Sequence, residues 1–455
     1  MAETCDLIII GLGVGGIEVA NQAAAGGLDV IAVEQHLVGG ECPYWGCIPS
    51  KVMVRAADVL AEAARVDELA GRAQVVPDWA PVARRVRDTT EGWNDASAAK
   101  QLRARGVTLI RGRAAILGST EVGVNGQHLV ARRGIVVAAG TEPAIPEIDG
   151  IDTVPYWTNR EALQATRLPR SALVLGGGAV GTELTQVLER FGVDVTLVEA
   201  TDHLLPLEEP ENGDALAETM RAEGVSVHTG TRCLSVRSSP NGVVADLSSG
   251  AAIHAERLLL ATGRRADLDL LGVAAVGLSP DAPAIATDER LRAADRVWAV
   301  GDITGHGAFT HVAYYQAQIA AGDILRREHP AADYSAVPRV TFTDPEVAGV
   351  GLTEAQARSA GRDVRIGLLP IAHSDRGWLH GPGATKGVIK LVADGRTGQL
   401  LGGSVMGPSA GEVIGFIGLA IRARIPLTTL EEFIYPYPTF LRGVKGAIRL
   451  LGPRG

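Results

Sequence analysis

Two cysteines stand five positions apart in the segment GGECPYWGCIPSK, which covers residues 39–51. Cys42 and Cys47 make up half of the four cysteines in the 455-residue chain. In a reducing compartment such a close pair is more often catalytic or metal-binding than a structural disulfide. Tyr44 and Trp45 place bulk between the two thiols, where they shape a substrate face or simply pack against their surroundings.

Two glycine-rich units, residues 6–34 and 173–199, repeat with the same internal spacing. Each has a short apolar run, a GxGxxG turn, a helical stretch and a second apolar run ending in glutamate. In both units the glutamate follows the first glycine by 23 residues. The residues concerned are Gly11, Gly13, Gly16 and Glu34 in the first unit and Gly176, Gly178, Gly181 and Glu199 in the second.

This repeated pattern has a direct chemical reading. The first glycine permits a tight turn, the second lets a pyrophosphate approach the backbone, and the third lets the helix pack on the strand. The N–H groups at the helix start favour the phosphates, and the glutamate accepts hydrogen bonds from a ribose diol. We therefore expect an α/β chain with two Rossmann-like dinucleotide-binding domains.

Other segments place further glycines after apolar strands. Gly140 lies in AAGTEP after IVVA, Gly263 lies in ATGRR after LLLA, and Gly301 with Asp302 follows VWAV. Asp302 is placed to hydrogen-bond a polyol chain, or it is part of a plain strand-to-loop turn. Residues 51–105 have apolar positions at helical spacing.

From residue 337 the pattern alternates as strands do, and a long apolar helix follows in AGEVIGFIGLAIRARI. This predicts a separate C-terminal α+β domain over 337–455. Its apolar helix faces either another subunit or its own core.

The bulk composition excludes some classes of function. A net charge of -9 and a pI near 5.6 argue against a nucleic-acid or anionic-membrane surface. No apolar run has the length of a membrane span. The first residues lack the basic start of a signal peptide, so a cytoplasmic location is expected.

In this order the motifs resemble the flavin-dependent pyridine nucleotide–disulfide oxidoreductases, which include dihydrolipoamide dehydrogenase, glutathione reductase and mercuric reductase. The resemblance covers essentially the whole chain, and FTDPEVAGVGLTEAQA (342–357) looks like the start of the family's dimerisation domain. It implies FAD and NAD(H) as cofactors and a homodimer whose active site is shared between subunits. The implied domains are 1–147 and 266–336 for FAD, 148–265 for NAD(P) and 337–455 for dimerisation.

The resemblance also assigns roles within the cysteine segment. Cys47 would lie against the flavin as a thiolate, and Cys42 would exchange with substrate. Both would lie at the start of one helix, whose N-terminus favours thiolate. Lys51 would sit at the reactive edge of the flavin and pair with Glu183; outside this motif each would be read as a solvated helix charge. Gly40, Gly140, Gly263 and Gly301–Asp302 would line cofactor sites.

Glu199 bears on the choice of nicotinamide cofactor. A carboxylate at that strand end accepts from a ribose 2′-hydroxyl and repels a 2′-phosphate. The following residues, 200–203, include no arginine to hold a phosphate. NADH is therefore expected rather than NADPH.

The C-terminal segment departs from the disulfide-reducing members. They carry a His-Pro-Thr segment with a glutamate soon after, whereas this chain has Tyr437 and Arg442 at those places. Tyrosine has a pKa of about 10 against about 6.5 for histidine, so it is a poor base at pH 7. Arg442 would stabilise an anion or point to solvent.

Two functions follow. The first is reduction of a disulfide or mixed disulfide whose leaving thiol needs no base. The alternative is an FAD-dependent reductase of metal ions or quinones, because mercuric reductase has a similar tail with tyrosine. Mercuric reductases also bring a C-terminal cysteine pair, which AIRLLGPRG lacks, and Cys5 and Cys233 are expected to be packing residues. Glu41, where threonine is usual, is expected to raise the pKa of the nearby thiols.

Overall fold

The computed structural model describes residues 3–452, and the chain divides into two compact units. The first unit comprises the residues up to Ser50 together with Arg84–Ala144 and Arg264–Tyr334. The second comprises Lys51–Ala83, Ile145–Gly263 and the residues from Ser335 onward. Among the described residues, no helix has both the length and the apolar character needed to cross a membrane.

The first unit is built on a mixed sheet with a parallel centre. Glu3–Ile10 pairs in parallel with Val30–Glu34 on one side and with Gln127–Val137 on the other. Val107–Arg111 continues the parallel sheet beyond Val30–Glu34. Antiparallel strands complete the sheet at Ala114–Gly118, Glu121–Val124 and Arg292–Ala294, and Val297–Ala299 pairs in parallel with Gln127–Val137. A short ribbon joins Glu142–Pro143 and Arg264–Arg265.

Strands, 3-10 turns and residues 268–285 form the core on one face of this sheet, and the core on the other face takes apolar residues from the α-helices of the first unit. These helices are Val14–Ala25, Glu41–Trp45, Ala96–Ala104 and Thr310–Ile324, with 3-10 turns at Val273–Val276 and Asp302–Thr304. Cys47–Ala64 and Trp79–Thr89 each contain a boundary between the two units. The buried strand Glu3–Ile10 ends at the first glycine turn, which places that turn at the carboxyl edge of the sheet.

The second unit contains another parallel sheet of five strands. Their spatial order, by residue range, is Ser226–His228, Asp194–Val198, Ser171–Leu175, Arg257–Leu260 and Tyr156–Trp157. Its helices are Val66–Leu69, Asn159–Gln164, Ala179–Arg190 and Pro210–Glu223, with a 3-10 turn at Ile151–Thr153. An antiparallel sheet of Cys233–Ser239, Gly242–Leu247 and Ala252–Ala255 packs its apolar face into the same core.

The C-terminal part of the second unit is an antiparallel sheet with helices. Its strands are Pro338–Thr341, Glu346–Gly351, Val364–Pro370, Val388–Asp394 and Gln399–Gly407. Its helices are Glu354–Ser359, Asp375–His380, Ala410–Arg422, Leu427–Glu432 and Arg442–Arg449, with a 3-10 turn at Ile371–His373. The apolar helix Ala410–Arg422 buries one face in this core. This supports the alternative that the helix faces its own core, although Leu419 is exposed.

The α/β class with two dinucleotide-type sheets and a C-terminal α+β part is confirmed. The helices expected within 51–105 form, but residues 72–78 between them are irregular. The four domain segments drawn from the sequence stay a prediction.

Candidate active site

Glu34, the last residue of the first glycine-rich unit, accepts hydrogen bonds from two backbone N–H groups. One carboxylate oxygen accepts from the N–H of Leu12 at 2.6 Å and the other from the N–H of His36 at 2.7 Å. The side chain is buried at the end of Val30–Glu34. These two bonds fix the orientation of the carboxylate beside the glycine turn.

Glu199 repeats this geometry in the second unit. Its carboxylate accepts from the N–H of Gly177 at 2.6 Å and from the N–H of Thr201 at 2.7 Å. Gly177 follows the first glycine of its turn by one residue, as Leu12 does, and Thr201 follows the glutamate by two, as His36 does. The equal spacing in sequence therefore corresponds to equal hydrogen bonding in the structure.

The glycines of the first turn differ in what surrounds them. Gly11 has a φ of +92°, which favours glycine. A Cβ on Gly16 would lie 2.0 Å from the carbonyl oxygen of Gly11, whereas a Cβ on Gly13 would meet no described atom within 4 Å. The second glycine turn repeats these features. Gly176 has a φ of +106°, a Cβ on Gly181 would lie 1.8 Å from the carbonyl oxygen of Gly176, and a Cβ on Gly178 would meet no described atom within 4 Å.

Both turns therefore fit a dinucleotide. The middle glycines Gly13 and Gly178 are the N-caps of Val14–Ala25 and Ala179–Arg190, and the space above them is open. The first N–H groups of a helix have no partner within the helix and attract an anion. A pyrophosphate can reach these groups because no side chain stands at the N-cap.

The cysteine segment begins against the first turn. A Cβ on Gly40 would lie 2.7 Å from the Cα of Gly13, so only glycine allows the two strands of chain to approach so closely. Gly40 is the N-cap of the five-residue helix Glu41–Trp45, which carries Cys42. Its position brings the cysteine segment to the edge of the proposed cofactor site.

The expectation that both cysteines lie at the start of one helix is wrong. Cys42 is in Glu41–Trp45, and Cys47 is the first residue of a second helix, Cys47–Ala64. Gly46 separates the two helices because its φ of -137° and ψ of -120° are outside the helical region. Only Cys47 therefore lies at the N-terminus of the longer helix.

The sequence reasoning missed Thr310, which touches Cys47. Their Oγ1 and Sγ atoms are 3.2 Å apart, within hydrogen-bond distance for sulfur. Thr310 is also the first residue of the 15-residue helix Thr310–Ile324, so Cys47 lies at a second helix N-terminus. Nothing in the sequence relates residue 310 to residue 47, because the sheet brings them together.

Replacing Thr310 with valine is expected to raise the pKa of the Cys47 thiol by about one unit. A hydrogen bond to a charged group contributes about 1.5–3 kcal/mol, and one pKa unit corresponds to about 1.4 kcal/mol. The measurement is the pH dependence of thiolate–flavin absorbance in the two-electron-reduced enzyme. Thr310→Ser keeps the hydroxyl and should titrate like the wild type; equal shifts in both variants would argue against this role.

Glu41 faces a positive charge. Its carboxylate is 3.5 Å from Nη1 of Arg264, and Nε of Arg264 donates to the hydroxyl of Thr141 at 2.9 Å. That hydroxyl in turn donates to the carboxylate of Asp302 at 3.2 Å. Arg264 therefore offsets negative charge of Glu41, the charge that was expected to raise the pKa of the nearby thiols. The effect of Glu41 on the thiol pKa stays a prediction. Neither Arg264 nor Thr141 was predicted from the sequence to be a site residue.

The remaining predicted cofactor residues lie at strand ends. Gly140, Gly263 and Gly301 have φ values of +67°, +110° and +85°. Gly301 donates its N–H to the side chain of Gln316 at 2.7 Å, which fixes the turn before Asp302. Burial raises the pKa of Asp302, so a hydrogen-bond donor from a bound polyol would stabilise its charged form.

Lys51 and Glu183 form the expected pair. Lys51 Nζ is 2.6 Å from Glu183 Oε2, and the Glu183 side chain is only 6% exposed. The other Glu183 oxygen accepts the N–H of Phe342 at 2.9 Å, and Lys51 lies 4.6 Å above the Phe342 ring. Glu183 is therefore a buried anchor for the lysine, and the reading of both residues as solvated charges is wrong.

Tyr437 and Arg442 contact each other, with the guanidinium 4.9 Å from the centre of the ring. Arg442 also forms an ion pair with Asp375, a residue that was not predicted from the sequence to be near this site. Tyr437 is 67% exposed. Arg442 is thus held over the ring face and does not simply point to solvent.

The other cysteines behave as packing residues. Cys5 is buried in the core of the first unit, and Cys233 packs against the core of the second. Burial raises the pKa of each thiol to about 11, which keeps both protonated at neutral pH.

Comparison with known proteins places this geometry in a family. Residues 5–317 match the profile described as pyridine nucleotide-disulphide oxidoreductase, and residues 337–448 match the dimerisation domain of the same family. The chain is similar to a mercuric reductase of Streptomyces lividans, with 35% identity over 97% of this chain and 94% of that protein. It is equally similar to a dihydrolipoyl dehydrogenase of Halobacterium salinarum, with 35% identity over 95% and 93%.

A solved structure agrees with these matches. The HOCl-induced flavoprotein disulfide reductase RclA from Escherichia coli, solved as a Cu(II) complex, superposes with a TM-score of 0.84 and 26% identity over 99% of this chain and 100% of RclA. The paired glycine turns, the cysteine segment and the matched dimerisation domain thus agree with relatives along nearly the whole chain. The chain belongs to the pyridine nucleotide–disulfide oxidoreductases, the FAD- and NAD(P)-dependent flavoprotein disulfide reductases.

Proposed function

We propose that this enzyme takes hydride from a reduced nicotinamide and delivers two electrons, by way of Cys42 and Cys47, to a disulfide or mixed disulfide. The observation that carries the proposal is the setting of Cys47. It begins a helix, lies 3.2 Å from the Thr310 hydroxyl, and precedes by four residues the lysine anchored by Glu183. Two helix N-termini and a hydroxyl favour a stable thiolate at this position.

FAD, when bound, would supply the two-electron carrier between the nicotinamide and the cysteine pair. The residues proposed to hold it lie at the carboxyl edge of the first sheet and include Gly11, Gly13, Gly16, Glu34, Gly40, Gly140, Gly301 and Asp302. Glu34 is oriented to accept from a ribose diol, and the open N-cap Gly13 leaves room for a pyrophosphate. The ammonium of Lys51 would favour an electron-rich cofactor ring.

The thiol chemistry needs both cysteines in defined roles. Reduction of the Cys42–Cys47 disulfide yields two thiols, and the Cys42 thiolate then attacks a substrate disulfide. The mixed disulfide with Cys42 is resolved by Cys47, which restores the protein disulfide and releases the second substrate thiolate. Each released thiolate takes a proton from solvent or a nearby acid, so two electrons and two protons reduce one substrate disulfide.

The nicotinamide site is proposed to use Gly176, Gly178, Gly181, Gly263 and Glu199, with NADH preferred over NADPH. Glu199 is held by two backbone N–H groups with its charge beside the turn. A 2′-phosphate placed there would meet a fixed negative charge, whereas a 2′-hydroxyl would find an acceptor.

Replacing Glu199 with alanine is expected to lower kcat/KM for NADH about tenfold, because one hydrogen bond to a charged acceptor is lost. The value for NADPH should stay level or rise, since a repulsive charge is removed. Steady-state kinetics with both nucleotides measure the ratio. Asp202→Asn, which alters an exposed acid nearby, is the control; an unchanged NADH:NADPH ratio in Glu199→Ala would contradict the assignment.

The domain roles follow the same proposal. Residues 1–147 and 266–336 would bind FAD, 148–265 would bind the nicotinamide, and 337–455 would form a homodimer interface. In that dimer Tyr437 and Arg442 would complete the partner subunit's active site. A cytoplasmic location remains a prediction from the sequence.

Anaerobic titration with NADH tests the proposal. Two-electron reduction should produce a long-wavelength absorbance from the Cys47 thiolate beside the oxidised flavin. Bleaching of the flavin without that absorbance would mean that the cysteines do not receive electrons, and the proposal would fail. Turnover of lipoamide and glutathione disulfide is expected to be slow, because Tyr437 is a poor base at neutral pH.

A second candidate is reduction of a metal ion or a quinone, which Tyr437 favours because neither acceptor needs a histidine base. Cys42→Ser separates disulfide reduction from quinone reduction. Loss of all turnover supports an essential thiol, while unchanged NADH-dependent quinone reduction and an absence of disulfide reduction would favour the second candidate.

A further inference from the structure

The redox helix, Cys47–Ala64, and the nucleotide helix, Ala179–Arg190, are joined by two charge pairs of opposite polarity. Lys51 pairs with Glu183 at 2.6 Å, and Asp58 pairs with Arg190 at 3.1 Å. The partners are seven residues apart on both helices. Seven residues make about two turns, or about 10 Å, so both pairs lie on one face of each helix.

This arrangement defines a register between the helices. Because the pairs follow in the same order on both, the helices run in the same sense along this face. If one helix slid by one turn along the other, Asp58 or Lys51 would lie opposite a residue of like charge or an uncharged residue. The reversed polarity of the second pair therefore opposes any other alignment.

The second pair is reinforced by further acids. Arg190 is 5% exposed, and its Nη2 atom is 2.7 Å from Glu223 and 3.0 Å from Asp344. Asp344 also binds Nη2 of Arg65, just beyond the end of the redox helix, at 2.7 Å. A buried guanidinium needs such partners, because an uncompensated charge in this position is costly.

A loop of the C-terminal part lies along the nucleotide helix and meets both pairs. Its Phe342 N–H binds Glu183, and the N–H and carbonyl of Asp344 each bind the Gln186 side chain at 2.8 Å. Glu183, Gln186 and Arg190 lie on one face of their helix. The loop therefore ties the Lys51 pair to the Asp58 pair through backbone groups that cannot rotate independently.

We propose that Asp58 and Arg190 are positioning residues for Lys51 and Cys47. The Asp58–Arg190 pair fixes the axial register of the redox helix against the nucleotide helix. The inference rests on the proposed function, in which Lys51 and Cys47 must keep their places at the flavin. A continuous helix transmits a constraint at Asp58 to the residues two to three turns before it. The pair would thus serve the redox step although neither member touches a reacting atom.

The test uses Asp58→Asn in the holoenzyme, with Glu62→Gln as the matched control. Glu62 is on the same helix, is 58% exposed, and pairs with Arg65 at 3.1 Å. We expect Asp58→Asn to lower the thiolate–flavin absorbance at two-electron reduction at least twofold. We also expect kcat to fall about tenfold, since small misplacements at a reacting centre cost one to two orders of magnitude. KM for NADH should not change.

Amide hydrogen exchange supplies a readout independent of turnover. Residues 48–54 should exchange several-fold faster in Asp58→Asn than in Glu62→Gln. Asp58→Glu, which keeps the charge, should recover more than half of the absorbance. If Asp58→Asn does not fold, Asp58→Glu is compared with Glu62→Gln in its place.

A role limited to stability predicts a different outcome. In that case Asp58→Asn would lower the melting temperature while leaving the absorbance, kcat and exchange at the values of Glu62→Gln, and the inference would be overturned. Failure of the proposed function is distinguishable, because the wild-type enzyme would then lack the thiolate–flavin absorbance as well.

Discussion

A double variant, Tyr437→His with Arg442→Glu, is expected to reduce disulfide substrates about 100-fold faster than the wild type. General acid–base catalysis by a positioned side chain contributes about 10²–10⁴-fold, and a histidine titrates near neutral pH whereas tyrosine does not. Glutamate at position 442 would orient and support a charged imidazole. The measurement is kcat/KM with lipoamide from pH 6 to 9.

The single variants give the controls. Tyr437→His alone leaves Arg442, now 4.9 Å above the tyrosine ring, beside the new imidazole. The guanidinium would lower the pKa of that imidazole and hold back its use as an acid, so we expect less than about a tenfold gain. Tyr437→Phe reports on the hydroxyl. If the double variant gains no more than the single one, the missing base does not limit the wild-type rate.

Replacing Lys390 with methionine is expected to lower the free energy of unfolding by about 3–5 kcal/mol, the cost of removing one partner from a buried ion pair. Lys390 is 2% exposed and lies 2.7–2.9 Å from the carboxylates of Glu209, Glu211 and Glu354. Burial alone would lower the pKa of the Lys390 ammonium, but its bonds to the three carboxylates raise it. Without the lysine, three carboxylates repel one another around the buried Glu209.

Denaturation in urea, at one fixed protein concentration, measures the effect. Lys386→Met is the matched control, because Lys386 is a half-exposed lysine that pairs with the exposed Glu218 at 2.6 Å. An exposed pair contributes about 0–1 kcal/mol. Equal losses in the two variants would contradict the importance given to burial.

The destabilisation should also depend on pH. The bond from Lys390 holds the pKa of Glu354 below its usual value. A lowered carboxyl pKa contributes stability above the unfolded pKa of about 4.5, and this contribution is lost as the pH falls through the folded value. The difference between wild type and Lys390→Met should therefore be full at pH 7 and narrow below about pH 4.5.

The parts of the site that could be predicted from sequence are those held by local spacing. Each glycine turn and its glutamate lie within a single strand–helix–strand unit, where the local chain geometry determines which residues are in contact. This holds for Gly11 with Glu34 and for Gly176 with Glu199. Lys51 and Glu183 are distant in sequence, and only the family resemblance linked them.

The contacts that sequence could not predict are made between elements whose packing is unknown until the chain folds. Thr310 meets Cys47 across the first unit, and Arg264 reaches Glu41 from a strand more than 200 residues away in the chain. The break at Gly46 was missed for another reason. Gly46 and Pro49 disfavour one continuous helix, so the sequence did carry a signal for the break, but the expected single helix start took precedence over it.

The fixed carboxylate of Glu199 has a consequence for how a nucleotide is selected. Two backbone N–H groups already hold it in one orientation, so the entropy of ordering that side chain is lost during folding and not during binding. A nucleotide bound there as proposed would meet a fixed charge that cannot swing aside for a phosphate. The proposed discrimination would be preorganised, and it would survive motion in the surrounding loops as long as the short turn itself stays intact.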